Sequence, residues 1–266
     1  MAKYFQLICL FFAFIGTNKA SIVVLNGLTH IYKVDKGETY KGKIEIQNTG
    51  TTPQSVKIYL QDLSYKADGS IYYSPPFTNK KTNAGWVKFN TDLLTIKAKE
   101  KTEVYYEVTI PDSIAQTGSY WSAIIVEPVS EIMPNSNQAG VHISSIVRYA
   151  IQLITDYHSS ELKPNLKFES IKLEKDGQKQ SLKVALANNG VIYCKSIVSI
   201  ELYDQKSEKK IGVFSSQAMS LLPSTSKSFH IDLNNVPSGI YNAVVMATDD
   251  DENAFALRTE LKIKND

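Results

Sequence analysis

The sequence is poor in cysteine, in tryptophan and in excess charge of either sign. Its 266 residues hold two cysteines, Cys9 and Cys194. Cys9 lies in an apolar N-terminal stretch, so a chain without that stretch has one thiol and no internal disulfide. Lys and Arg number 29 against 27 Asp and Glu. Residues 1–20 hold Lys3 and Lys19 and no acid, which leaves 27 of each sign in the remainder. A neutral chain has no electrostatic basis for binding nucleic acid or an anionic membrane surface. After residue 20 no apolar run reaches the length of a membrane span.

Strings that carry chemistry are also missing. There is no Gly-x-Ser-x-Gly elbow, no Gly-x-x-x-x-Gly-Lys and no Gly-x-Gly-x-x-Gly. The four histidines, His30, His142, His158 and His230, form no i, i+2 or i, i+4 pair and have no neighbouring cysteine. Asp249-Asp250-Asp251-Glu252 lacks the alternating ligands and central glycine of a calcium loop, and reads as a solvated hairpin tip. The sequence therefore points to no catalytic residue, no metal site and no cofactor. Cys194 reads as a small apolar strand residue.

The first twenty residues have the order of a secretory signal. Lys3 supplies the positive start, Tyr4 to Ile15 is nearly all apolar, and Gly16 to Ala20 is short and small or polar. The apolar part is too short to span a bilayer, and cleavage is expected after Ala20. An exported chain with no disulfide fits a bacterial envelope, in the periplasm or at the cell surface.

What is abundant is alternation with a period of two. Lys43-Ile44-Glu45-Ile46-Gln47, Val56-Lys57-Ile58-Tyr59-Leu60, Val198-Ser199-Ile200-Glu201-Leu202 and Leu261-Lys262-Ile263-Lys264 each bury one strand face and wet the other. Turn signals separate them, among them Asn48-Thr49-Gly50, Ala67-Asp68-Gly69, Asn188-Asn189-Gly190 and Pro237-Ser238-Gly239. Many short strands with frequent turns predict an all-β antiparallel sandwich fold.

The chain also matches itself. Ile46-Gln47-Asn48-Thr49-Gly50 leads into Val56, Ile58, Leu60 and Asp62, and Leu186-Ala187-Asn188-Asn189-Gly190 leads into Val198, Ile200, Leu202 and Asp204. Ile110-Pro111 with Gly118-Ser119-Tyr120 parallels Val236-Pro237 with Gly239-Ile240-Tyr241. Tyr120 and Tyr241 are candidates for tyrosine-corner packing. Two sandwiches in tandem explain these matches. The polar stretch Tyr157 to Pro164 divides them, giving a signal at 1–20, a first domain at 21–157 and a second at 164–266. Ser74 to Ala84 and Pro128 to Ala139 are expected to be exposed loops.

Gly37 to Asn48, Asp68-Gly69, Trp86-Val87-Lys88-Phe89, Ile110-Pro111 and Gly118-Ser119-Tyr120-Trp121 follow one another in an order that resembles the first domain of bacterial WxL-interacting surface proteins. More loosely, it resembles the first domain of PapD-like periplasmic pilus chaperones. The resemblance covers residues 21–155, while the second domain is similar only to immunoglobulin-like domains in general. It implies an immunoglobulin-like β-sandwich, which with the internal repeat gives two in tandem; with no catalytic string present, the chain reads as a protein that binds and does not catalyse. Pilus chaperones hold a subunit's terminal carboxylate with a basic pair, and Thr29-His30-Ile31-Tyr32 places His30 where the first of that pair stands. The strand Ile146 to Leu153 has no lysine in the second place.

Trp86 and Trp121, the two tryptophans, are either an aromatic platform for peptide or glycan or packing residues of the first sandwich. Val141 to Thr155 reads as a long strand, and an open edge on it would pair with another chain's strand. Ser145 and Arg148 sample its two faces. The candidate partner-binding residues are thus Ser145, Arg148, His30, Trp86 and Trp121. The expected partner is another extracytoplasmic protein, a pilin-like or surface subunit, held by a chaperone-like or adaptor protein. The alternative is a structural or adhesive surface protein that binds peptidoglycan or another glycan.

Overall fold

The computed structural model describes residues 21–129, 146–158, 160–177 and 179–264. The signal-like residues 1–20, Ser145 and nearly all of the loop expected at 128–139 lie outside them. The first ten strands are β1 (Ile22–Val24), β2 (Thr29–Val34), β3 (Thr39–Asn48), β4 (Gln54–Tyr65), β5 (Ile71–Ser74), β6 (Val87–Phe89), β7 (Leu93–Ile96), β8 (Lys101–Thr109), β9 (Gly118–Pro128) and β10 (Tyr149–Tyr157). Eight follow: β11 (Leu166–Asp176), β12 (Lys179–Asn188), β13 (Cys194–Asp204), β14 (Lys210–Ser215), β15 (Met219–Leu221), β16 (Thr225–Asp232), β17 (Gly239–Asp249) and β18 (Ala254–Ile263). One 3₁₀ turn, Ala84–Trp86, is the only helical element among the described residues.

The strands form immunoglobulin-like β-sandwiches. In the N-terminal set, one sheet runs β1-β3-β8-β6 and the other β2-β10-β9-β4-β5, with β7 also on β4. In the C-terminal set, the sheets are β11-β12-β16 and β14-β13-β17-β18, with β15 also on β13. Among the described residues every pairing is antiparallel except that of β2 with β10, which is parallel. The alternation read from the sequence is what builds the cores. Ile44 and Ile46 of β3 and Val104, Tyr106 and Val108 of β8 face Ile58, Ile124 and Ile151 of the opposite sheet, all at most 1% exposed. Complete burial of one such side chain contributes about 1.5–3 kcal/mol.

The internal repeat is repeated in hydrogen bonds. The Asn48 amide donates to the carbonyls of Thr52 and Ile96 at 2.8 and 3.0 Å, and its oxygen accepts the Gly50 N–H at 2.9 Å. The Asn188 amide donates to the carbonyls of Ile192 and Leu221 at 2.8 and 3.3 Å, and its oxygen accepts the Gly190 N–H at 2.9 Å. Tyr120 and Tyr241 each donate their hydroxyl to the carbonyl four residues earlier, of Gln116 and of Pro237. Both are tyrosine corners, as the sequence suggested.

β9 departs from alternation: every residue from Gly118 to Val126 is buried. Ile124 and Val126 face the N-terminal core, while Trp121, Ala123 and Ile125 join Leu63, Tyr65 and Ile154 in a cluster that continues through Val198, Phe229 and Val245 of the C-terminal set. The outer face of one N-terminal sheet is therefore packed against the C-terminal strands. Hydrogen bonds fix the contact. Ser119 N–H donates to the Val191 carbonyl at 2.8 Å, and Tyr193 N–H donates to the Ser119 hydroxyl at 2.6 Å. Gly118 stands at φ +110°, and a Cβ there would strike the Val191 carbonyl, so this approach requires glycine.

Of the exposed loop expected at 74–84, Pro75, Phe77, Thr78 and Lys80 are exposed, while its end, Asn83 and Ala84, is buried. Asp62, 2% exposed, accepts from Asn79 N–H at 2.7 Å and from the Thr82 hydroxyl at 2.5 Å. Buried Asn83 donates to the carbonyls of Tyr120 and Leu153, and Trp121 N–H donates to the Lys81 carbonyl at 2.9 Å. A buried carboxylate and a buried amide thus pin the segment across β9 and β10, because unpaired polar groups there would be costly.

Candidate binding site

The strand sets meet along the β4–β5 hairpin. Tyr65, at the end of β4, donates its hydroxyl to the Ser220 carbonyl at 3.0 Å and accepts the Leu222 N–H at 2.9 Å. At the turn, Ala67 N–H donates to the Ser226 hydroxyl at 3.0 Å, and the Ser228 hydroxyl donates to the Ala67 carbonyl at 2.6 Å. The hairpin thereby lies along β16 and encloses a cleft of about 340 Å³. Leu63, Tyr65, Ile71, Tyr73 and Met219 form its apolar wall. Lys66, Gln152, Lys227, Ser228 and His230 supply its polar groups.

Strand register places two glutamines at this face, on either side of Ala123. Gln61 of β4, Ala123 of β9 and Gln152 of β10 are directly opposite one another. The Oε1 atoms of Gln61 and Gln152 are buried and accept no hydrogen bond. Lys227 is half-buried with its ammonium 4.4 Å from the Tyr65 ring centroid, and burial lowers its pKa from the usual lysine value. Burial pushes the Tyr65 hydroxyl up to about 12, so it stays protonated as the donor to Ser220.

Of the five residues singled out from the sequence, the four described, His30, Trp86, Trp121 and Arg148, are not brought together. Arg148 lies on the outer face near this cleft, its guanidinium 5.8 Å from the ring centroid of Tyr73. Beside it the Tyr59 hydroxyl donates to Glu127 at 2.6 Å. His30 lies instead against the N-terminal core. Its Nδ1 is 2.6 Å from the Tyr106 hydroxyl, which is 2.9 Å from that of Tyr32. Burial lowers the pKa of His30. Trp86 is half-buried with its ring 4.8 Å from that of Tyr120. Trp121 is 5% exposed and donates its indole N–H to the Leu63 carbonyl at 2.8 Å, which makes it a packing residue between the strand sets. Ser145 lies outside the described residues.

Of the long strand expected at 141–155, residues 146–155 are described, and the strand there begins at Tyr149 and runs to Tyr157. Over Gln152–Tyr157 it has β2 on one side and β9 on the other, so no edge is open there. Only Tyr149–Ile151 pairs with β9 alone among the described residues. Among the described residues β5 has β4 on one side only, and its Ile71, Tyr72 and Tyr73 are 58%, 49% and 36% exposed. Among the described residues no group of His, Cys, Asp or Glu is placed to hold a metal, and no helix is long and apolar enough to cross a membrane. Cys194 is buried, and burial pushes its thiol up to about 11.

The sequence did not single out the cleft residues. One signal was present: Tyr59, Gln61, Leu63 and Tyr65 put a second, mostly apolar face on β4, opposite Val56, Ile58 and Leu60. A strand with two such faces is covered on both sides. Lys227 and His230 had no signal, since their role depends on which strand the hairpin meets.

Comparison with known proteins agrees with the resemblance read from the sequence and relocates it. Residues 138–266 match the family described as WxL Interacting Protein, host binding domain. The match falls on the end of the N-terminal set and the whole C-terminal set, and shares only residues 138–155 with the stretch read from the sequence. No curated protein matches the chain significantly. Among solved structures, a chaperone–tip adhesin complex of CFA/I fimbriae is 14% identical, with 91% of this chain and 98% of that one covered and a TM-score of 0.47. The CupB2 chaperone of Pseudomonas aeruginosa is 10% identical, over 90% and 100% of the two chains, with a TM-score of 0.42. A Salmonella enterica SafA pilin–SafB chaperone complex is 13% identical, over 93% and 99%, with a TM-score of 0.43.

Proposed function

We propose that this chain is an exported, non-enzymatic binding protein of a bacterial envelope, an adaptor or chaperone-like protein that engages another extracytoplasmic protein at the cleft between its strand sets. Two domains, 21–157 and 164–266, would form the walls of that cleft. The observation that carries the reading is the cleft itself: a cavity of about 340 Å³ with an apolar wall, lined also by Gln152, whose buried Oε1 accepts no hydrogen bond. Apolar concavities with a few convergent polar groups are where proteins take ligands. The match of residues 138–266 to a host binding domain supports the same reading, and the signal-like residues 1–20 support export. Exposed Ile71, Tyr72 and Tyr73 on β5, which among the described residues pairs with β4 alone, offer a place for a partner strand to add.

The test is co-purification of the tagged protein from Ser21 onward, read by mass spectrometry, against sedimentation with isolated cell wall. A specific envelope or surface protein, recovered at near-stoichiometric yield and released by Tyr73→Asp, is the expected result. Sedimentation with cell wall and recovery of no protein would replace this reading with the glycan-binding one.

A further inference from the structure

The chain as a whole balances its charges, but the cleft does not. Its lining includes Lys66, Lys227 and His230 and no Asp or Glu. Lys227 is the half-buried cation among them, and no ion pair of the described residues involves it. Its ammonium rests over the Tyr65 ring, and that ring is held in place by the hydrogen bonds of its hydroxyl to Ser220 and Leu222. An ammonium that has lost part of its hydration without gaining a carboxylate is destabilised, and an anion brought beside it reverses that loss. The nearby Asp68 does not serve, because its carboxylate is held by the N–H and hydroxyl of Ser70 in the hairpin turn.

The same cleft offers a hydrogen-bond acceptor and an apolar wall. Gln152 lines the cleft, and its buried Oε1, which a small side-chain rotation would turn toward a ligand, has no donor. A ligand N–H would complete it, and a ligand that cannot donate would leave it unpaired. Ile71, Tyr73 and Met219 add apolar contact. A volume of about 340 Å³ is at the lower end of ligand sites, room for a short chain segment and not for a folded domain.

We propose that the cleft binds a peptide segment carrying an acidic side chain, with the carboxylate on Lys227, a peptide N–H on Gln152 Oε1 and an apolar side chain against Ile71, Tyr73 and Met219. This rests on the reading of the chain as a protein-binding module and adds the chemistry of what it binds.

The experiment is an NMR titration of the protein from Ser21 onward, its lysines carrying ¹³C-methyl labels, with the Lys227 signal assigned by its loss in Lys227→Arg. The probes are acetyl-Val-Asp-Phe-amide, acetyl-Val-Asn-Phe-amide and N-acetylmuramic acid. The aspartyl peptide should shift the Lys227 signal and bind at least about tenfold more tightly than the asparaginyl peptide. That preference should shrink as salt rises, since salt screens ion pairing. Lys227→Gln should remove the preference, and Gln152→Leu should weaken both peptides by a similar factor. Equal affinity of the two peptides for the unmodified protein would overturn the proposal without need of any variant. So would an unmoved Lys227 signal, or a response to N-acetylmuramic acid alone. If a protein is captured through position 73 while the two peptides behave alike, protein binding at the cleft stands and the acidic chemistry fails.

Discussion

The hydroxyl of Tyr65 and the backbone of Leu222 join the two strand sets: the Leu222 N–H donates to the Tyr65 oxygen at 2.9 Å, across a separation of 157 residues. The same hydroxyl donates to Ser220. One side chain therefore fixes the β4–β5 hairpin to the β15–β16 corner and sets the width of the cleft.

Tyr65→Phe keeps the ring and removes both bonds. The buried Leu222 N–H is left without its acceptor, which costs about 1–3 kcal/mol. Urea denaturation should show that loss, and a protein of this size should melt lower by about 2–4 °C for each kcal/mol. An unchanged midpoint would mean the hydroxyl does not hold the hairpin.

Asn48 and Asn188 make the same three hydrogen bonds in the two strand sets, and both are 0% exposed. Asn48→Ala and Asn188→Ala should each destabilise by roughly 2–3 kcal/mol, because each leaves several buried backbone groups unpaired. Calorimetry of the two variants should show losses within about 1 kcal/mol of one another. A near-neutral result for either would break the structural equivalence.

His30 should make stability depend on pH. Its pKa is lowered by burial, partly offset by the backbone of Asn26, and its Nδ1 meets the Tyr106 hydroxyl. The folded state thus prefers the neutral imidazole. Above the unfolded value of about 6.5 both states are neutral and nothing is lost. As pH falls below it, the unfolded chain takes up a proton that the folded one resists, so stability declines until the folded pKa is passed. Denaturation midpoints at pH 8 and pH 5 should differ less in His30→Gln than in the unmodified protein. An equal difference in the two proteins would remove His30 as the cause.

A protease should cut the connection between β10 and β11 first, where His158, Ser160 and Glu161 are exposed. The fragments should stay together on gel filtration, because Trp121, Ile125 and Ile154 pack into the C-terminal cluster. Fragments that separate freely would show that this packing is weak in solution.

Strand alternation, turns and the repeated Asn-x-Gly and Tyr motifs made the sandwich folds legible in the sequence. Those signals are local: a two-residue period and a turn residue act over a few positions. The packing of β9 on both faces was hinted at by the run Ala123-Ile124-Ile125-Val126 but needed the second strand set to cover it. Residues 74–84 look like a loop by composition, and the hydrogen bonds of buried Asp62 and Asn83 that hold their second half have no local signal. The candidate site was the least legible. It joins Tyr65 to Lys227 and Gln152 across two strand sets, and no local pattern encodes which strand a hairpin will lie upon.

Photo-cross-linking from the cleft tests the central claim most directly. Benzoyl-phenylalanine at Tyr73, which lines the cleft, is compared with the same group at Tyr105, 52% exposed on the β8 strand of the other N-terminal sheet. Both proteins are irradiated in the envelope fraction of the source cells. Binding at the cleft predicts one discrete protein adduct from position 73 and none from position 105. The same adduct from both positions, or an adduct from position 105 alone, would contradict it.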